Sequence, residues 1–254
     1  MHRILGVLSA LTLCACSSDR VSLGVVGTSL PDLLRETVSV TLERGSVHVG
    51  VAPGPALEIE AEVLVDADRA AQFGAAPLVF GEHVAVTSDA DTVLVRSAHE
   101  GAGDDDDWEL RLRVLVPEAP AVRARVDAGS IEVRLDSAAA LSADVDAGSI
   151  DAAIGRIAGP TVLKVSAGRI RLRAEEALRG ATLTVATGEI ELVLPRDVAG
   201  RLDAVSQVGS VDVAPRFGLE RRREVTKQSV AGALGSGGDD AYVLRVDAGT
   251  ISVQ

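Results

Sequence analysis

Val145-Asp146-Ala147-Gly148-Ser149-Ile150 decides how this chain is built. Val145 and Ala147 alternate with Asp144 and Asp146, which is the period-two pattern of a strand. Past the glycine, Ile150, Ala152 and Ile154 alternate with Ser149, Asp151 and Ala153, which makes a second strand. Val145 and Ile150 are five positions apart, an odd number, so one straight strand would put them on opposite faces. The chain must therefore turn or bulge at Gly148, where the missing Cβ permits positive φ.

The unit recurs as Val126 to Ile131 around Gly129, Val165 to Ile170 around Gly168, and Val185 to Ile190 around Gly188. A copy one residue longer spans Val205 to Val211 around Gly209, and the last runs from Val246 to Ile251 around Gly249. The corner glycines step by 19, 20, 20 and 21 residues and then by 40, two periods. A fixed period of this length marks a repeat architecture.

Two all-β architectures satisfy the pattern. In a β-solenoid of ~20-residue repeats, units stack as rungs about 4.8 Å apart and inward residues form like-on-like ladders. In an antiparallel sandwich or meander each glycine is a hairpin tip instead. The aliphatic ladder Ile131, Ile150, Ile170, Ile190, Val211, Ile251 favours the solenoid. Charge is mixed evidence: Arg171 would stand between Asp151 and Glu191, whereas Glu132 beside Asp151, and Glu191 beside Asp212, would be like-charged neighbours.

The repeat region is expected over 121–254, interrupted at about 216–240 by a loop insertion or one degraded rung that holds Arg221-Arg222-Arg223 and a glycine-rich run. Residues 38–120 alternate less regularly and read as an N-terminal β cap, with an echo of the motif at Arg44-Gly45-Ser46-Val47. Short helical turns are read near Leu33-Leu34 and over Arg69 to Phe73.

Hydrophobic residues make up 47% of the 254 residues but aromatics only 2%, so the core must be aliphatic and regularly packed. The net charge of −12 repels nucleic acid, and loss of Arg3 with a leader would take it to −13.

Met1-His2-Arg3 followed by the apolar run Ile4 to Leu13 has the layout of a secretory signal and is too short to span a bilayer. Its end, Leu13-Cys14-Ala15-Cys16, resembles the lipobox of bacterial lipoproteins. That resemblance implies cleavage after Ala15, lipidation of Cys16, and a membrane partner through the lipid. Ser17 rather than Asp after Cys16 points to an outer membrane where the source has one. Residues 16–37 read as a tether broken by Gly24, Gly27, Ser29 and Pro31. No thiol would remain in the body, so stability must come from packing.

From Glu109 to Pro117, through Arg123 to Val133 and the ladder of units, to Ser229–Gly237 and Asp247 to Ile251, the chain resembles the "putative adhesin" family of bacterial β-strand-repeat proteins, a domain of unknown function. The resemblance covers roughly residues 38–254 and implies a β-helical body with no catalytic residues to carry over.

Candidate chemistry is sparse. Asp104 to Asp107 reads as a solvated acidic loop rather than a Ca²⁺ loop, because its spacing is not that of an EF-hand. Asp127, Asp146 and Asp247 share one repeat position, but Ser166, Ala186 and Gln207 interrupt the row, so a turn-stabilising role is favoured. Gly232 to Gly238 lacks the Lys-Ser/Thr of a phosphate loop. His48, His83 and His99 have no metal-ligand spacing. No cofactor or metal is expected. The sequence thus predicts a non-catalytic envelope protein with a structural, adhesive or protein-binding role. An accessory of envelope-stress signalling is the alternative, and a polysaccharide-active β-helix enzyme is the reading least favoured.

Overall fold

The computed structural model describes residues 20–31, 37–67, 78–89, 91–98, 108–117, 120–176 and 178–254. Leu13 to Cys16, Leu33-Leu34, Arg69 to Phe73, His99 and Asp104 to Asp107 lie outside them. The fold is all-β, and the elements between the strands include helical turns at Phe80–His83 (α1) and Pro215–Phe217.

Seven strands carry the repeat: β2 (Thr37–Val51), β7 (Ala121–Ala138), β8 (Ala140–Ile157), β9 (Thr161–Ala174), β10 (Ala181–Val193), β11 (Gly200–Val213) and β14 (Ala241–Val253). They pair in parallel in the order β2-β7-β8-β9-β10-β14-β11. Glycine stands opposite glycine throughout, in the row Gly45, Gly129, Gly148, Gly168, Gly188, Gly249, Gly209.

Each strand is bent at that glycine. Gly148 has φ +140, and Val145 and Ile150 on either side of it are both buried. The bend turns both arms of a rung toward one core, which is how an odd spacing becomes compatible with burial. Two ladders fill that core. Before the corner stand Leu42, Val126, Val145, Val165, Val185, Val246 and Ser206; after it stand Val47, Ile131, Ile150, Ile170, Ile190, Ile251 and Val211.

The copy around Gly209 is not one residue longer in register, as the sequence reading had it. Ser206, fully buried, takes the valine slot opposite Val246, and Val205 is only half-buried. The hydroxyl is tolerated because Ser206 Oγ donates to the Gly249 carbonyl at 2.9 Å.

Chain order and spatial order diverge at the C-terminus. β14 inserts between β10 and β11, so the glycine step of 40 residues is not a skipped rung in line. Tyr242 at its start fills the space between Ala181 and Leu202 and donates its hydroxyl to the Leu178 carbonyl at 2.9 Å. Burial, with the charge of Asp240 adding, pushes that phenol up to about 12.

The two ends differ from the expectations in three places. β2 is a complete rung paired along its length with β7, not part of a separate cap over 38–120. On its other side it splits: Thr37–Thr41 pair with β5 (Thr92–Ser97), and Gly45–Val51 pair with β6 (Trp108–Val116). Antiparallel strands continue both layers, β4 (Val84–Ser88) beside β5, then β3 (Leu57–Asp66) and β1 (Arg20–Leu30) beyond β6.

β1 corrects the tether reading of 16–37. Ten of its eleven residues pair with β3, from Arg20↔Asp66 to Leu30↔Leu57, and Gly24, read as a breaker, sits at a bulge with φ +139.

Residues 216–240 are likewise not simply a loop. β13 (Gln228–Leu234) pairs antiparallel with the first arm of β11, and β12 (Arg221–Arg223) pairs with β13. The Gln228 side chain accepts from the Val211 amide at 3.1 Å on the second arm. The resulting sheet is mixed and open, parallel through the repeats and antiparallel at both ends. A three-residue edge of exposed arginines at β12 resists edge-to-edge association.

Candidate interaction face

Outward positions of the second arm form rows that run across the stack. The third residue past each corner glycine gives His48, Glu132, Asp151, Arg171, Glu191, Ser252 and Asp212. Parallel pairing of β2 with β6 extends the row to Arg113, and antiparallel pairing of β6 with β3 extends it to Glu60. Opposite charges meet at Arg113–Glu60 (3.2 Å) and Arg171–Glu191 (2.8 Å), and the His48 imidazole lies 3.3 Å from the Glu132 carboxylate.

The two like-charged junctions anticipated in the sequence are both relieved. Arg134 reaches Glu132 at 3.2 Å and Asp151 at 2.8 Å. Glu191 and Asp212 never meet, because β14 places Ser252 between them, and Asp212 pairs with Arg221 at 2.6 Å. A neighbouring row adds Arg111–Glu62 (3.5 Å) and Arg169–Glu189 (3.7 Å).

Glu191 is the node of this face. It accepts from Arg171 at 2.8 Å and from Arg169 at 2.6 Å, and its side chain is 12% exposed. The hydrogen bond from Arg171 holds its carboxyl below the ordinary range. A carboxylate lowered on folding stabilises above its unfolded value and loses that contribution as pH falls through its folded value. Glu191→Gln is therefore expected to lower stability at neutral pH by on the order of 1 kcal/mol and to shrink the loss below about pH 4.5. Melting temperatures of both proteins from pH 7 to pH 3 check this; parallel curves would contradict it.

The corner rim is neutralised in the same way. Arg125 binds Asp127 at 3.1 Å and Asp146 at 3.2 Å, and Ser166 and Ala186 separate Asp146 from Asp247. On β14, Arg245 pairs with Asp203. Among the described residues no group of three His, Cys, Asp or Glu side chains could hold a metal ion. Gly235 to Gly238 follow β13 in a turn and lead into β14, a strand, so the helix of a phosphate loop is missing there. Arg221 is engaged by Asp212, while Arg222 and Arg223 lie exposed on the sheet edge.

A shallow groove of about 430 Å³ lies at the N-terminal end of the charged face. Val25, Ser46, His48, Glu60, Glu62, Arg111, Leu112 and Arg113 line it. Its acids and bases are paired across neighbouring strands, Arg111 with Glu62 and Arg113 with Glu60. Arg134, which bridges Glu132 and Asp151, and Arg125, which bridges Asp127 and Asp146, are not singled out by the sequence pattern. They stand outside the recurring motif positions.

No protein-family model matches the chain, and no curated protein matches it. Among solved structures it is similar to a "putative cell adhesion protein" from Clostridium sporogenes, with 11% identity, coverage of 91% of this chain and 98% of that one, and a TM-score of 0.48. It is also similar to a "putative adhesin" from Bacteroides fragilis (9% identity, 92% and 98% covered, TM-score 0.34). A "putative lipid binding protein" from Parabacteroides distasonis follows (9% identity, 91% and 97% covered, TM-score 0.24). These values leave the functional argument to the chain's own residues.

Proposed function

We propose that this chain is a lipid-anchored, non-catalytic module of the bacterial cell envelope, with a β-solenoid body of the "putative adhesin" kind. Its role is structural, adhesive or protein-binding. One observation carries the reading: seven rungs repeat in register from Gly45 to Gly209, and the charged outward side chains are largely spent on one another. A catalytic centre needs a nucleophile or an acid–base pair converging on one point with room for a substrate. The lipobox-like Leu13-Cys14-Ala15-Cys16 supports the anchor.

Cys16→Ala tests the anchor. It should block processing or release the protein from the membrane fraction, since stable anchoring takes more than one acyl chain at about 0.8 kcal/mol per buried CH₂. A variant that stays membrane-bound and normally processed would refute it. Turnover on a panel of polysaccharides would overturn the non-catalytic reading.

A further inference from the structure

The structure leaves almost no chain between the anchor site and the folded body. Only Ser17, Ser18 and Asp19 separate Cys16 from Arg20, the first residue of β1. Four residue steps span at most about 14 Å even when fully extended. Arg20 is held in place: it pairs with Asp66 at the end of β3 (3.4 Å) and lies 3.7 Å from Glu109 on β6.

β1 is the first strand in the sheet order and β12 the last of its twelve-strand path, so the repeat stack lies on one side of the attachment point. At about 4.8 Å per strand the far end lies as much as roughly 50 Å away along that path. The body is strongly acidic, and an anionic bilayer repels it.

We infer that the Arg20–Asp66–Glu109 end of the sheet is the membrane-apposed surface, with the stack standing out from the bilayer and the β12–β13 end displayed farthest from it. This rests on the lipid anchor proposed above and names the bilayer surface as the partner of that end. The charged outer face then runs away from the membrane and is open to a partner along its length.

The mature body has no cysteine of its own beyond the lipidated one, so single thiols can be placed cleanly. Ala67, exposed just after β3, and Val225, fully exposed beyond β12, mark the two ends. Lipidated Ala67→Cys and Val225→Cys carrying a donor dye are reconstituted into phosphatidylcholine vesicles with a minor fraction of phosphatidylglycerol and acceptor-labelled lipid. Flotation is run on the same samples.

Transfer should be several-fold stronger from position 67 than from 225. A flexible insert of about twenty Gly/Ser residues between Asp19 and Arg20 should weaken transfer at 67 by lengthening the reach. Equal transfer from both positions in floated protein means that the stack lies flat, and overturns the inference while sparing the anchor. Transfer at 67 that ignores the insert overturns it too. Protein that fails to float sinks the anchor and this inference together.

Discussion

Gly148→Val is expected to abolish cooperative folding at physiological temperature. Two independent costs meet at this residue. Its φ of +140 is a conformation that valine adopts only under strain. A Cβ there would also lie 1.7 Å from the Gly129 carbonyl oxygen, which is backbone of the next rung and has nowhere to go. The neighbour must therefore separate from its rung, for a cost of several kcal/mol or more, a large share of a typical domain's stability. Gly168→Val meets the Gly148 carbonyl at the same 1.7 Å and should behave alike.

The control is Gly54→Val, where nothing lies within 4 Å and φ is not positive. Gly237, in the glycine-rich run of 216–240, has φ +76, so valine there should cost on the order of 1 kcal/mol. Thermal melts of the four variants check the ranking. Equal tolerance at Gly148, Gly168 and Gly54 would show that the corner is not built as described.

Ile150→Asp and Ile170→Asp should each cost several kcal/mol, because each side chain is at most 1% exposed and a carboxylate there would be buried without a partner. Each isoleucine stacks on its equivalents in the adjacent rungs, so protection from hydrogen exchange should fall across β7, β8 and β9 together for Ile150→Asp. Asp151→Ser, one position along and facing outward, loses one ion pair with Arg134 and should cost less than about 1 kcal/mol. Loss of protection confined to β8 would contradict the stacked core.

The strand content and the positions of the inward ladders are readable because a period of two and a period of about twenty are both properties of residue order. Val145 and Ile150 sit an odd number apart, and the structure answers that oddness with positive φ at Gly148. What residue order could not carry is spatial order. β14 slips between β10 and β11 although nothing in Val246 to Ile251 distinguishes it from a rung added at the end. The charges hold a clue, since Glu191 and Asp212 would repel as direct neighbours and Ser252 keeps them apart.

Register was also misjudged at Ser206. Matching valine to valine put Val205 in the ladder, whereas counting back from Gly209 puts Ser206 there. β1 was hidden for a different reason. Gly24 and Gly27 suggest a loop when read singly, but an edge strand paired on one side accepts a glycine bulge. Of the charged face, the alternation at Arg171 was legible. The bridging role of Arg134 depends on a side chain reaching diagonally across two strands, which no one-dimensional spacing reports.

Cross-strand nuclear Overhauser contacts between the α-protons and amides of the corner glycines test the parallel, in-register stack most directly. The account predicts contacts from Gly148 to both Gly129 and Gly168, and from Gly249 to both Gly188 and Gly209, with no direct contact between Gly188 and Gly209. Contacts between Val145 and Asp151 across a hairpin tip at Gly148 would contradict it, and the ladders on which the proposed function stands would no longer exist.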